Sequence, residues 1–274
     1  MADLPGGTQF GTVVHAALEH VDFAAPDLPE ALTRQCTRWL RRVPVSDLDP
    51  GSLADALGTV LDTPLTPLAN GRRLRDFPAT DRLAELRFEL PLGTLDGSRR
   101  GTVAALARLF SDRNLVVAND PLADYGARLL DSPAAETVLK GFLTGSLDAI
   151  LRYPGEGRTH YLVIDYKTNR LSSPPGQTLS VEDYHADAMA EAMMAAHYPL
   201  QALLYCVALD RFLSWRLPGY DPDTQFEGVG YLFIRGMGGP NTPELGGMTC
   251  GVFAWHPRPA LIRRASAILA GELP

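Results

Sequence analysis

"LVIDYKTNR", residues 162–170, decides how the rest of the chain is read. Three apolar residues, Leu162, Val163 and Ile164, run straight into Asp165-Tyr166-Lys167. That pattern is a buried strand ending in charge. Side chains alternate faces along a strand, so Asp165 and Lys167 share one face. The lysine is unusual for this chain: of 25 basic residues only Lys140 and Lys167 are lysines. Arginine is a planar fork that stays charged, whereas lysine is a compact point charge. Lysine suits the positioning of a water or the stabilisation of one phosphoryl oxygen.

The preceding apolar run, "GFLTGSLDAIL" at 141–151, pairs naturally with "HYLVIDYK" at 160–167 around the turn "YPGEGRT". It carries one carboxylate, Asp148, in an otherwise apolar setting. A buried carboxylate is costly unless it is paired or holds a metal. With a turn near Gly155-Glu156, Asp148 is expected opposite Val163, on the Asp165 face and diagonal to it. A slip of one residue would reverse that face. Two carboxylates about 4–8 Å apart repel unless a cation lies between them. Oxygen ligands at roughly 2.0–2.1 Å are what Mg²⁺ takes. Lys167 would then face a metal-bound water, and metal plus lysine can lower that water's pKa and stabilise charge on an attacked phosphate. The plain alternative is an ion pair of Lys167 with Asp148 or Asp165 in an ordinary hairpin.

Working outward, Phe10, Val13, Val14, Ala17, Leu18 and Val21 repeat at helical spacing, so residues 8–23 read as a helix. Residues 28–42 continue as helix. Four prolines between 44 and 67 break residues 43–83 into short helices and loops. "AELRFELPL", 84–92, alternates charged and apolar residues as a half-buried strand does. "DGSRRG" reads as a turn and 102–110 as a short helix. Residues 172–180 are a Ser/Pro/Gly loop. Residues 181–214 are mostly helical, with a kink or break at Pro199. "GVGYLFIRGM", 228–237, and "GVFAWHP" are strands, and 258–272 is a closing helix. This order predicts an α/β fold, a mixed β-sheet flanked by helices with a helical N-terminal elaboration.

A chain of 274 residues can bury a substantial core, and 46% hydrophobic with 21% charged residues is a globular composition. No run of eighteen apolar residues occurs, so no membrane partner is expected. The N-terminus lacks a signal-peptide pattern. Cys36, Cys206 and Cys250 are far apart without a CxxC, which points to a reducing, cytoplasmic setting and away from zinc or an iron–sulfur cluster. A net charge of −7 weighs against a general nucleic-acid binder. Local clusters differ: Arg34, Arg38, Arg41 and Arg42 form one stripe, either a solvated face or a DNA contact. Arg72, Arg73 and Arg75, and Arg99 with Arg100, pose the same choice. No G-x-x-x-x-G-K-[ST] occurs, so the chain carries no P-loop motor.

"GSLDAILRY" and "HYLVIDYKTNRL" together resemble the core of the PD-(D/E)xK nucleases, most closely the RecB-type branch with G-x-x-D on one strand and D-Y-K-[ST]-N on the next. "GTVVHAALE" at 11–19 resembles that branch's G-T-x-x-H-x-x-x-E helix. "AELRFELPL" resembles its E-x-x-F-x-L-P strand, "AMMAAHYPLQALLYCVALDRFL" at 192–213 its Q-x-x-x-Y helix, and "GVGYLFIRGM" its Y-L-F-x-R-G strand. The order holds across essentially the whole chain. The namesake Pro-Asp is Leu147-Asp148 here, the RecB-type form.

The resemblance implies a restriction-endonuclease-like core and a single nuclease domain over 1–274, with 1–83 mostly helical and 84–274 the core. It implies that His15, Asp148 and Asp165 are metal ligands, with the Tyr166 carbonyl a fourth, and that Lys167 is the catalytic lysine beside Asp148 and Asp165. Gln201 and Tyr205 are implied as support near the active site, and so is Glu85. Without the resemblance, His15 on a mainly apolar helix reads as a satisfied core residue. Gln201 and Tyr205, at i and i+4, read as packing plus a local hydrogen bond. The implied cofactor is Mg²⁺, with Mn²⁺ an alternative because imidazole suits it as well. The implied partners are DNA, mainly single-stranded, a helicase ahead on the same polypeptide, the RecC and RecD subunits, and a RecA-type recombinase. The chain is then expected to be a C-terminal portion of a helicase–nuclease, an Mg-dependent exodeoxyribonuclease acting in double-strand break repair and recombination. Delivery by a motor would let an acidic domain reach DNA with weak, salt-sensitive affinity of its own. Two alternatives remain open: a protein-interaction module that keeps the fold, and a stand-alone nuclease of the superfamily.

Overall fold

The computed structural model describes residues 4–94, 97–171 and 178–272. Asp96, the first residue of the expected "DGSRRG" turn, and residues 172–177 of the expected loop lie outside them. The helical N-terminal part contains α1 (Thr8–His20), α2 (Leu28–Leu40) and α3 (Pro50–Leu61). There follow β1 (Arg82–Leu92), α4 (Val103–Leu109), α5 (Tyr125–Leu130), β2 (Gly141–Gly155) and β3 (Arg158–Lys167). The chain continues with α6 (Ala186–Ala195), α7 (Tyr198–Arg216), α8 (Pro222–Gln225), β4 (Phe226–Phe233), β5 (Glu244–Leu245), β6 (Met248–Thr249), β7 (Val252–Trp255) and α9 (Pro259–Leu269). One sheet runs in the order β1-β2-β3-β4-β7, and β5 and β6 form a separate small hairpin.

Several boundaries differ from the sequence reading, each for a local reason. α1 stops at His20 because Val21 is extended. α2 stops at Leu40, so Arg41 and Arg42 lie in the turn beyond it. α3 begins where the Asp49 side chain accepts the Ser52 N–H at 2.8 Å and Pro50 occupies the first turn. The expected break near Pro199 falls just before it: His197 takes a left-handed conformation, and the proline opens α7. The expected strand 228–237 ends at Phe233, and Ile234–Gly236 makes one tight turn. No single helix among the described residues is long and apolar enough to cross a membrane.

The chain divides into two compact units whose segments interleave. Residues 1–86, 148–189 and 230–254 form one, and residues 87–147, 190–229 and 255–274 the other. In the first unit the apolar face of α1 (Phe10, Val13, Val14, Ala17, Leu18) joins that of α3 over Leu162, Ile164 and Tyr166 of β3. In the second, Trp255 stacks on Phe110 at 5.8 Å, and the Trp255 indole donates to Asp120 at 3.2 Å.

Two arginines, Arg235 buried and Arg82 partly buried, hold the first unit through backbone carbonyls. The Arg235 guanidinium donates to the carbonyls of Thr168 (2.9 Å), Leu4 (3.0 Å) and Pro5, and lies over the Phe10 ring at 4.8 Å. Arg82 donates to the carbonyls of Leu18 (2.7 Å) and Val21 (2.6 Å) at the end of α1, over Phe23. Those carbonyls have no intrahelical partner, and a cation there also suits the negative end of the helix. Arg235→Ala strips a charged donor from three carbonyls at once. The expected cost is on the order of 3 kcal/mol in urea denaturation, and Arg235→Lys should recover less than half, because an ammonium cannot span the three acceptors.

Candidate active site

The β2–β3 register places the site. Ala149 pairs with Ile164 and Ile150 with Val163, down to Gly155 with Arg158. The turn centres on Glu156-Gly157, so the expectation that Asp148 faces Val163 is corrected by two residues. Continuing the register one step sets Asp148 directly across from Asp165. A two-residue shift preserves the face, so Asp148, Asp165 and Lys167 still share it.

Asp148 Oδ2 accepts the backbone N–H of Tyr166 at 2.9 Å and lies 3.2 Å from His15 Nδ1. Asp165 is buried, and Lys167 Nζ sits 2.6 Å from its Oδ2. The same ammonium lies 5.1 Å from the centroid of the Tyr231 ring on β4. The Tyr166 ring is buried and meets His15 edge-on at 6.0 Å. Tyr166 therefore offers only its backbone to this site.

Two motif glycines have steric reasons. A Cβ on Gly11 would come 3.2 Å from Thr168 Oγ1, so glycine lets α1 approach the chain just past Lys167. A Cβ on Gly145 would meet the Phe88 ring at 2.6 Å. Both are places where backbone must pass close to a neighbour.

The charges are mutually perturbed. Burial raises the Asp165 carboxyl to about 6, against the pull of Lys167 and with the negative charge of Asp148 adding to the rise. For His15, burial works downward, but the hydrogen bond and charge of Asp148, with Asp165, win, and its pKa is raised. The donor types suit a hard divalent cation: two carboxylates, one imidazole and a nearby backbone carbonyl. Among the described residues, though, no three His, Cys, Asp or Glu side chains already converge as a ligand set. The reason is visible in the contacts: Asp148 is engaged by His15 and the Tyr166 N–H, and Asp165 by Lys167. A cation would have to share the carboxylates with those contacts. The frustration that lifts Asp165 is what it would relieve.

The remaining candidates lie on other elements. Glu85 lies mid-β1 with a left-handed backbone (φ 50°), the conformation of a bulge. Gln201 and Tyr205 lie on α7 in the second unit, where Tyr205 packs edge-on to Phe88 at 6.2 Å. Arg34, Arg38, Arg41 and Arg42 line one groove of about 490 Å³. Of the other basic clusters, Arg73 and Arg75 pair with Asp76 and Asp62. A cleft of about 910 Å³ runs along the first turns of α1, past His15, and is closed by Thr168–Arg170 and Trp39. Sequence reasoning missed Arg235, which fixes the carbonyl of the residue after Lys167. The signal was present: a lone charge inside the apolar "YLFIRGM" is the same kind of clue as Asp148 in β2.

The family model of the PD-(D/E)XK nuclease superfamily matches residues 3–219. Curated relatives include the RecBCD enzyme subunit RecB of Mycolicibacterium smegmatis, 45% identical over 276 residues, covering 100% of this chain and 25% of the relative. The same subunit of Mycobacterium tuberculosis H37Rv is 43% identical over 98% of this chain and 24% of the relative. That of Escherichia coli K12 is 32% identical over 97% of this chain and 19% of the relative. The chain thus spans a quarter or less of the length of these relatives.

A pH prediction follows from the two raised values. A group whose pKa is raised in the fold stabilises fully below its unfolded value and loses that contribution as pH rises through the folded one. Asp165 and His15 both run this way, across a window from about pH 4 to above pH 6.5. Asp148 contributes to both shifts. In EDTA-treated protein, the stability gap between wild type and Asp148→Asn should therefore be largest near pH 5 and shrink by pH 8. Thermal melts across that range check it, and a gap independent of pH would contradict the pairing.

Proposed function

Because this chain belongs to the PD-(D/E)XK nuclease superfamily, we propose that it is the DNA-cleaving part of a RecBCD-type helicase–nuclease. It hydrolyses phosphodiester bonds of single strands during double-strand break repair and recombination, as an exonuclease of the exodeoxyribonuclease V type. The observation that carries this is the buried Asp165–Lys167 pair at 2.6 Å, on the same strand face as Asp148. The relatives are RecB subunits of RecBCD, which supports RecC and RecD as partners and a motor that delivers the strand. An interaction module without catalysis has no need to keep two carboxylates and a lysine together in a largely buried setting.

PD-(D/E)XK nucleases depend on a divalent metal, and we assign Mg²⁺, with Mn²⁺ also accepted through the imidazole. Asp148, Asp165, His15 and the Tyr166 carbonyl are the residues that would hold it. When bound, the cation supplies Lewis-acid charge beside the scissile phosphate. Asp165 fixes the Lys167 ammonium through their ion pair and so aims its protons. Lys167 donates a hydrogen bond to the phosphoryl oxygen on which charge grows, in a site too dry for water to screen it. Tyr231 and the walls around Lys167 keep that ammonium from turning out to solvent. Asp148 anchors the strand end through the Tyr166 N–H, which keeps the two carboxylates in register.

The test is cleavage of end-labelled single-stranded DNA with Mg²⁺, Mn²⁺ or EDTA. Cleavage should need the metal and fall by roughly 10²–10³-fold or more in Asp165→Ala and in Lys167→Ala. Circular dichroism should confirm that both variants fold. Full activity in folded Lys167→Ala would refute the assignment of that residue.

A further inference from the structure

The cleft beside the Lys167 end of the site has an aromatic wall. Trp39, on the last turn of α2, lines it opposite His15 and the stretch Thr168–Arg170. The guanidinium of Arg42 lies 4.9 Å from the Trp39 ring centroid and that of Arg38 lies 5.8 Å from it. The same two arginines line the neighbouring groove on α2 together with Arg34 and Arg41. Trp39 therefore stands where a cation-lined groove meets the cleft that passes the site.

Three observations give this junction a ligand. First, among the described residues no carboxylate pairs with Arg38, Arg41 or Arg42, whereas Arg34 is tied to Asp27 and Glu30. In a chain of net charge −7, three guanidinia along one groove, two of them against one ring, are a local exception. Second, the indole N–H of Trp39 is buried with no hydrogen-bond partner among the described residues. Trp39 itself is only partly buried and meets the His20 ring edge-on at 5.2 Å, so its ring and not its polar handle makes its contacts. Third, the only carboxylate lining the cleft among the described residues, Glu19, lies 3.6 Å from His20 Nδ1. A flat π-surface flanked by guanidinia is how an unpaired nucleobase and its phosphates are held. Every base has a face to stack, and stacking is sequence-tolerant.

We propose that Trp39 is a stacking platform for one unpaired nucleobase, with Arg38 and Arg42 on the adjoining phosphates, and that the strand passes from this platform along the cleft to Asp165 and Lys167. This deepens the nuclease reading and rests on it. The platform makes Trp39 a specificity-determining residue, because a base kept in a duplex cannot present its face to the ring.

The experiment uses fluorescein-labelled oligothymidylate, the same length of strand carrying abasic positions, and a duplex, bound in EDTA and followed by anisotropy. Trp39→Ala should weaken oligothymidylate binding by roughly 5- to 100-fold. Trp39→Phe should keep most of the affinity. The abasic strand and the duplex should be nearly indifferent to either change. The double variant Arg38→Ala/Arg42→Ala should weaken all strands and lower the salt slope by about two. In cleavage with Mg²⁺, Trp39→Ala should raise KM more than it lowers kcat. Unchanged oligothymidylate binding by Trp39→Ala overturns the proposal, and so does an equal loss on the abasic strand. If the wild type cleaves DNA and Trp39→Ala behaves like it, the platform alone fails. If the wild type neither binds nor cleaves any strand, the nuclease reading fails and takes the platform with it.

Discussion

One hydrogen bond sets the geometry on which the site depends. The backbone N–H of Tyr166 goes to a carboxylate of the neighbouring strand, Asp148 Oδ2, at 2.9 Å. The carboxylate is thereby tied to the strand whose next two side chains in line are Asp165 and Lys167. A strand pair can slip only in steps that move every side chain, and a slip of one residue turns the face over. A side chain bonded to the backbone between Asp165 and Lys167 opposes that slip at the place where it would do most harm. His15 then adds α1 to the same oxygen, so helix and hairpin meet on one atom.

The charge pattern follows from that placement. Two carboxylates, a lysine and a histidine crowd one strand end, largely removed from water. None can relax independently: Asp165 is lifted by burial and by Asp148, and His15 is held protonated to higher pH by Asp148 and Asp165. Such coupled shifts are common where charges are arranged for chemistry. The arrangement is compensated internally, by Lys167 on one acid and His15 on the other, which is how the fold tolerates it.

Much of this was legible in the residues because charges inside apolar runs are rare. Asp148 in "LTGSLDAIL" and Asp165 with Lys167 after "LVI" stood out for that reason. The register was misplaced by two residues, because the length of a turn is hard to read from "YPGEGRT", yet the shared face survived since two is the period of a strand. The helix and strand order was legible from periodicity, and the errors sat at ends, where a cap or a single left-handed residue decides. His15 could not be told from a core histidine by spacing, since its helix is apolar on the same side. The lone charge of Arg235 in an apolar run was a signal, but what Arg82 and Arg235 bind was invisible for a different reason. Their acceptors are backbone carbonyls far away in the chain, and carbonyls leave no mark in a sequence.

The contact between Arg235 and Leu4 joins residues 231 positions apart. The wall of the cleft beside Lys167 therefore adjoins a strap of chain pinned by a side chain made 231 residues later. Contacts of such separation form late, after the loop between them has closed. During synthesis at about 5–20 residues per second, the strap and α1 would wait on the order of ten seconds or more for their clamp. A fold clamped this way cannot be completed by its leading half, so the nascent chain carries no finished candidate site until β4 and the turn after it have left the ribosome.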